Sequence, residues 1–290
     1  MVKSIKPRFL LAAVLALALL AGCRQDPEPA VQGPPTPEQT VKVLAGQLLA
    51  GDLAGYARTA VPPSLHAELE TAWSEDRSRW PLSEMPLAGQ LAPMLASFSA
   101  EGSEARLQAS FDSQFAGKDR DLDTAAGSLS LFAAEYVGNE GDYSDGERTH
   151  YTQIIEALGA WAIEAPLADR EHASQAIARL AAAARATGID DHEDFAALGM
   201  TASLEKVQPF IAAAVTTLAR YGLDLEASVA GLQATIVDQD GDHATVAVRY
   251  PLAGREIRTE VAMERINGRW YPAGSIANGQ AWAEREASLR

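Results

Sequence analysis

A change of hydrophobic period near residue 229 constrains the fold of this chain more than any other feature. Upstream, apolar residues recur three and four positions apart, as in Val41, Leu44, Leu48 and Leu49. Downstream, the stretches GLQATIVDQ, HATVAVRYPL, EIRTEVAMERI and RWYPAG alternate and are rich in β-branched and aromatic residues. A helix gathers positions i, i+3 and i+4 on one face, whereas a strand sends neighbours to opposite faces. The two patterns occupy different stretches, so the expected class is α+β. A mainly helical region, 38–228, precedes a four-stranded antiparallel meander within 229–290, the two packed as one unit.

Local signals place the elements. Thr36-Pro37-Glu38-Gln39 is a capping box with proline at the first helical position. GDLAGY reads as a break, and Pro62-Pro63-Ser64 starts a helix through Leu65, Leu69 and Trp73. Further helices are expected over Leu87–Phe98, Glu104–Phe115, Ala125–Tyr136, Glu147–Ile163 and Asp169–Thr187, the last closed by Gly188. Asp190 and Glu193 frame a short helix to Met200, and a long one runs from Ser203 to Tyr221. Asp240-Gly241, Ala253-Gly254 and Asn267-Gly268 are hairpin signals within a meander over Leu232–Ala273. In its third strand Ile257, Val261 and Met263 share one face, while Glu256, Arg258, Glu260 and Glu264 share the other. One face therefore needs a helical cover and the other is wet. No fixed repeat period emerges, which argues against a solenoid.

Helices first and a meander last, with the ending ERINGRWYP, resemble the C-terminal half of NTF2-like domains over residues 229–273. The resemblance implies a shape, a curled sheet with helices on one side, and no function. The helical part of this chain is longer than that family carries.

The N-terminus reads as an address. Lys3, Lys6 and Arg8 form a basic head, Phe9 to Leu20 an apolar run, and Ala21-Gly22 a small-residue exit. These are the parts of a secretory signal peptide, residues 1–22. A spanning helix needs about 20 apolar residues, more than this run supplies. RQDPEPAVQGPPTP, Arg24 to Pro37, is a Pro-rich spacer within a tether at 23–37. Leu20-Ala21-Gly22-Cys23 resembles the lipobox of bacterial lipoproteins. The resemblance implies that Cys23 receives a thioether-linked diacylglycerol, that cleavage follows Gly22, and that lipoprotein processing and sorting machinery handles the chain. In that class the residue after the cysteine influences sorting. Arg24, where aspartate retains proteins at the inner membrane, implies the periplasm-facing leaflet of the outer membrane.

Cys23 is the sole cysteine, so no disulfide can form within the chain and stability must come from a core. The formal charge is −15, and loss of Lys3, Lys6 and Arg8 makes it three units more negative. Such a balance lacks the electrostatic footprint of nucleic-acid binding and favours a basic protein partner or divalent cations.

Catalytic signatures are sparse. There is no G-x-S-x-G elbow, and His66, His150, His172, His192 and His243 are scattered without H-E-x-x-H spacing. Asp119, Asp121 and Asp123 have a calcium-loop spacing, but Thr124 and Ser130 stand where the loop needs glycine and glutamate. Asp238, Asp240 and Asp242 fail the same test at His243 and Arg249. Neither a metal site nor a cofactor is expected. The stretch WSEDRSRWP offers Trp73, Arg77, Arg79 and Trp80, residue types enriched at interface hot spots, as a candidate partner surface. The expected function is a non-enzymatic, lipid-anchored binding or scaffolding module of the envelope. Its rivals are an immunity lipoprotein neutralising a basic toxin or hydrolase and a carboxylate-dependent envelope hydrolase.

Overall fold

The computed structural model describes residues 36–85, 88–140, 143–189 and 192–285. The signal peptide, Cys23, Arg24, all but the end of the tether, Leu87, Asp190 and Asp191 lie outside the described residues. The described architecture is α+β, with helices first and a four-stranded sheet near the end.

The first three helices are α1 (Pro37–Leu49), α2 (Leu53–Ala60) and α3 (Pro63–Ser74). Thr36 caps α1 by accepting from the Gln39 N–H at 3.3 Å. GDLAGY breaks the chain only at Gly51 and Asp52. The Asp52 carboxylate accepts from the Gly55 N–H at 2.8 Å and so begins α2 inside the expected break. Next come α4 (Leu91–Ser99), α5 (Ser103–Gln114), α6 (Asp119–Asn139) and α7 (Asp145–Glu164). Then follow α8 (Arg170–Thr187), α9 (His192–Leu198), α10 (Met200–Arg220) and α11 (Leu225–Ala230). Asp169 caps α8 and Gly188 ends it at φ 61°, as the sequence signals.

Strands β1 (Gln233–Asp240), β2 (His243–Leu252), β3 (Arg255–Ile266) and β4 (Arg269–Pro272) pair antiparallel in chain order. Ala253-Gly254 and Asn267-Gly268 both hold positive φ, the geometry of two-residue turns that match strand twist. A final helix, α12 (Ala273–Ala283), stands where the sequence suggested only a tail.

Three apolar clusters hold these elements. The largest gathers Leu53, Leu69, Trp73, Trp80, Leu95 and Leu204 between helices. Val246, Val248, Met263 and Trp270 pack on the dry face of the sheet, with Val41 of α1 against them. Leu252 and Ile257 meet Ala157 and Trp161 of α7 and Leu223 beyond α10. Beside that cluster, Gln153 of α7 hydrogen-bonds both backbone groups of Arg258, at 2.9 and 3.1 Å. β4 pairs only Met263–Ile266, so Arg258 has no strand on that side.

Helix α10 takes its cap from α3. Glu70 accepts from the N–H groups of Met200 and Thr201, each at 3.1 Å, and from the Thr201 hydroxyl. Two otherwise unpaired donors and a helix dipole converge on one carboxylate. Glu70→Ala is expected to lower stability by about 1–2 kcal/mol. Thermal denaturation followed by circular dichroism checks this, with exposed Glu68→Ala unchanged; equal midpoints for both variants would refute the capping role.

Candidate functional site

The aromatic-basic stretch turns inward. Trp73 and Trp80 are both 0% exposed. The Trp73 indole N–H donates to the Phe195 carbonyl at 2.7 Å, and that of Trp80 to Glu84 at 2.9 Å. Arg79 lies over the Trp73 ring at 5.1 Å, pairs with Asp76 and donates to the Ser78 carbonyl at 2.7 Å. Arg77 pairs with Glu75 and donates to the Ala283 carbonyl of α12, each at 2.5 Å. The expectation of a partner surface over Trp73, Arg77, Arg79 and Trp80 is therefore corrected. Its indoles are core, and its guanidinium groups tie α3 to its own turn and to α12. Arg79 also forms one wall of an open cleft of about 470 Å³, with Leu82, Leu91, Phe195 and Trp282 on the others.

A different surface stands out on α6. Asp119, Asp121 and Asp123 belong to its first two turns, where negative charge suits the helix dipole, and not to a loop. Beyond them the helix carries two seams of opposite character. Ala126, Ser130, Ala133 and Val137 turn toward α7, and the Ser130 hydroxyl donates to the Ile155 carbonyl at 3.1 Å. Ser130 fills the space a Cβ on Gly159 would need, so the two helices approach closely because both are small there. The second seam, Ala125, Leu129, Phe132 and Tyr136, faces solvent. Leu129 is 66% exposed, Phe132 71% and Tyr136 49%, and the Phe132 and Tyr136 rings stack at 6.4 Å. Leu131, 70% exposed, adds apolar surface farther round.

This distribution inverts the usual one, in which large apolar residues take the buried stripe of an amphipathic helix. Contiguous exposed apolar surface of this kind marks interaction sites. Sequence reasoning placed the helix but missed its exposure. The available signal was the pair of seams, small residues on one and large on the other.

Several titratable side chains join elements of the fold. His150 Nε2 and the Tyr250 hydroxyl are 2.9 Å apart, joining α7 to β2. Desolvation pushes the His150 imidazole below its usual range and the Tyr250 hydroxyl up to about 12, so both stay neutral near pH 7. Desolvation likewise lowers His66, while His172 sits 2.8 Å from its own cap, Asp169. Among the described residues no three His, Cys, Asp or Glu side chains group as metal ligands, and no helix is long and apolar enough to cross a membrane. Comparison with protein families, curated proteins and solved structures returned no match.

Proposed function

We propose that this chain is a lipid-anchored envelope protein whose domain faces the periplasm as a non-enzymatic protein-binding module. The reading joins the lipobox-like Leu20-Ala21-Gly22-Cys23 to a domain that presents apolar side chains to solvent. One observation carries the binding role: Leu129, Phe132 and Tyr136 lie on one face of α6 and, among the described residues, remain 66%, 71% and 49% exposed. Water-exposed leucine and phenylalanine gain roughly 1.5–3 kcal/mol each on full burial, which a partner supplies.

Leu129→Asp/Phe132→Asp is expected to cut partner capture from crosslinked envelopes at least about tenfold, since 1.4 kcal/mol already amounts to that factor. The midpoint of thermal unfolding should hold, because both side chains are outside the core. Undiminished capture by a folded double variant removes the binding role from α6.

A further inference from the structure

We infer that α6 is the inserted helix of a helix-in-groove complex, and that its partner is a protein whose apolar groove is rimmed by lysine and arginine. The inference rests on the binding role of α6 and adds the geometry and chemistry of the partner. Ala125, Leu129, Phe132 and Tyr136 follow a four-three-four spacing, which keeps anchors on one side of a helix over three turns. Leu129 and Phe132 stand out from the helix, 66% and 71% exposed, so the surface is a ridge and the concave element belongs to the partner. The ridge is also held firm, because the small seam locks α6 onto α7 through Ser130 and Gly159.

Charge selects the rim. Asp121 lies one turn before Ala125, and Glu135 lies three residues after Phe132, both along the same flank of the seam. Both are exposed, and neither carboxylate has an ion-pair partner among the described residues. The cation nearest in sequence to Asp121, Arg120, falls on the far side of the helix by its 100° step, away from the seam. Apolar anchors beside two unpaired carboxylates complement an apolar groove with basic edges. A second copy of this chain is a poor occupant. An antiparallel two-fold pairing centred at Ser128, next to Leu129, sets Asp121 of one copy beside Glu135 of the other, and parallel pairing sets like residues together. Anionic lipid headgroups repel the same carboxylates.

The test uses the full lipidated chain in intact envelopes, with Phe132→p-benzoylphenylalanine photo-crosslinked and the adduct identified by peptide mass spectrometry. The expected adduct is a different protein, attached through a peptide flanked by lysine or arginine. Its yield should fall about tenfold on raising sodium chloride from 50 to 500 mM, because screening shortens the reach of exposed charges. Asp121→Lys/Glu135→Lys should produce a comparable fall, and Asp121→Asn/Glu135→Gln a smaller one, with helical content unchanged. An adduct containing only this chain, or only phospholipid, overturns the inference. A protein adduct indifferent to salt and to charge reversal overturns the basic rim and leaves the binding role standing. Absence of any adduct from probes at 129, 132 and 136 sinks both.

Discussion

Trp73→Ala will destabilise the folded domain by about 3–5 kcal/mol, the range for truncating a buried aromatic side chain. For a domain of this size each kcal/mol moves the unfolding midpoint by roughly 2–4 °C, so a fall on the order of 10 °C is expected. The indole is fully buried, meets the Phe195 ring edge-on at 6.2 Å and supports the Arg79 guanidinium above it. Alanine removes both contacts and the indole N–H hydrogen bond to the Phe195 carbonyl, and leaves a cavity where α3, α9 and α10 converge. The Phe195 carbonyl keeps one donor, the Ser203 hydroxyl at 3.1 Å, so the loss comes from packing more than from an orphaned acceptor. Trp73→Phe, which keeps most of the ring and drops the N–H, should fall between wild type and alanine. Urea denaturation followed by circular dichroism reads the series. Wild-type behaviour of Trp73→Ala would mean that the stretch is a surface after all.

Cys23→Ala is expected to produce an all-or-none change in location. A palmitate-length chain contributes roughly 10 kcal/mol at about 0.8 kcal/mol per buried CH₂, and two or three chains make release negligible. Without the sulfur no thioether forms, and the chain either persists as an uncleaved precursor or leaves the membrane fraction. Sedimentation of envelopes, with metabolic labelling by an alkyne palmitate, distinguishes these states. Mature wild-type protein that carries no label defeats the lipoprotein reading outright.

Much of the architecture was legible because its determinants are local. Two-residue turns at Ala253-Gly254 and Asn267-Gly268 demand positive φ, and Asp169 with Gly188 brackets α8 by cap chemistry alone. The dry face of β3 followed from alternation, and Ile257 and Met263 are indeed buried. Failures arose where distant residues decide. Helix α12, AGSIANGQAWA, contains two glycines and an asparagine and has weak intrinsic propensity. It is held by packing on α3, where Gly279 lets the backbone come close to Leu65 and Leu69. Trp73 and Trp80 resembled an interface because tryptophan and arginine populate interfaces and cores alike; the Phe195 carbonyl that anchors Trp73 lies 122 positions away. Periodicity revealed that α6 has an apolar face, but it does not tell which neighbour covers it. Among the described residues, none covers Leu129 or Phe132.

Gln153 has a consequence for association between molecules. A sheet whose last strand is shorter than its neighbour leaves a row of amides open, and a stranger's chain can zip onto such a row. Here a glutamine side chain imitates a strand at Arg258, occupying both the donor and the acceptor where that zipper would start. At the opposite border β1 bulges between Ile236 and Asp238 and ends in carboxylates, which spoils the straight template that lateral growth requires. Accretion through backbone pairing is thereby discouraged on both sides, which leaves exposed side chains such as Leu129 and Phe132 as the surface open to other molecules.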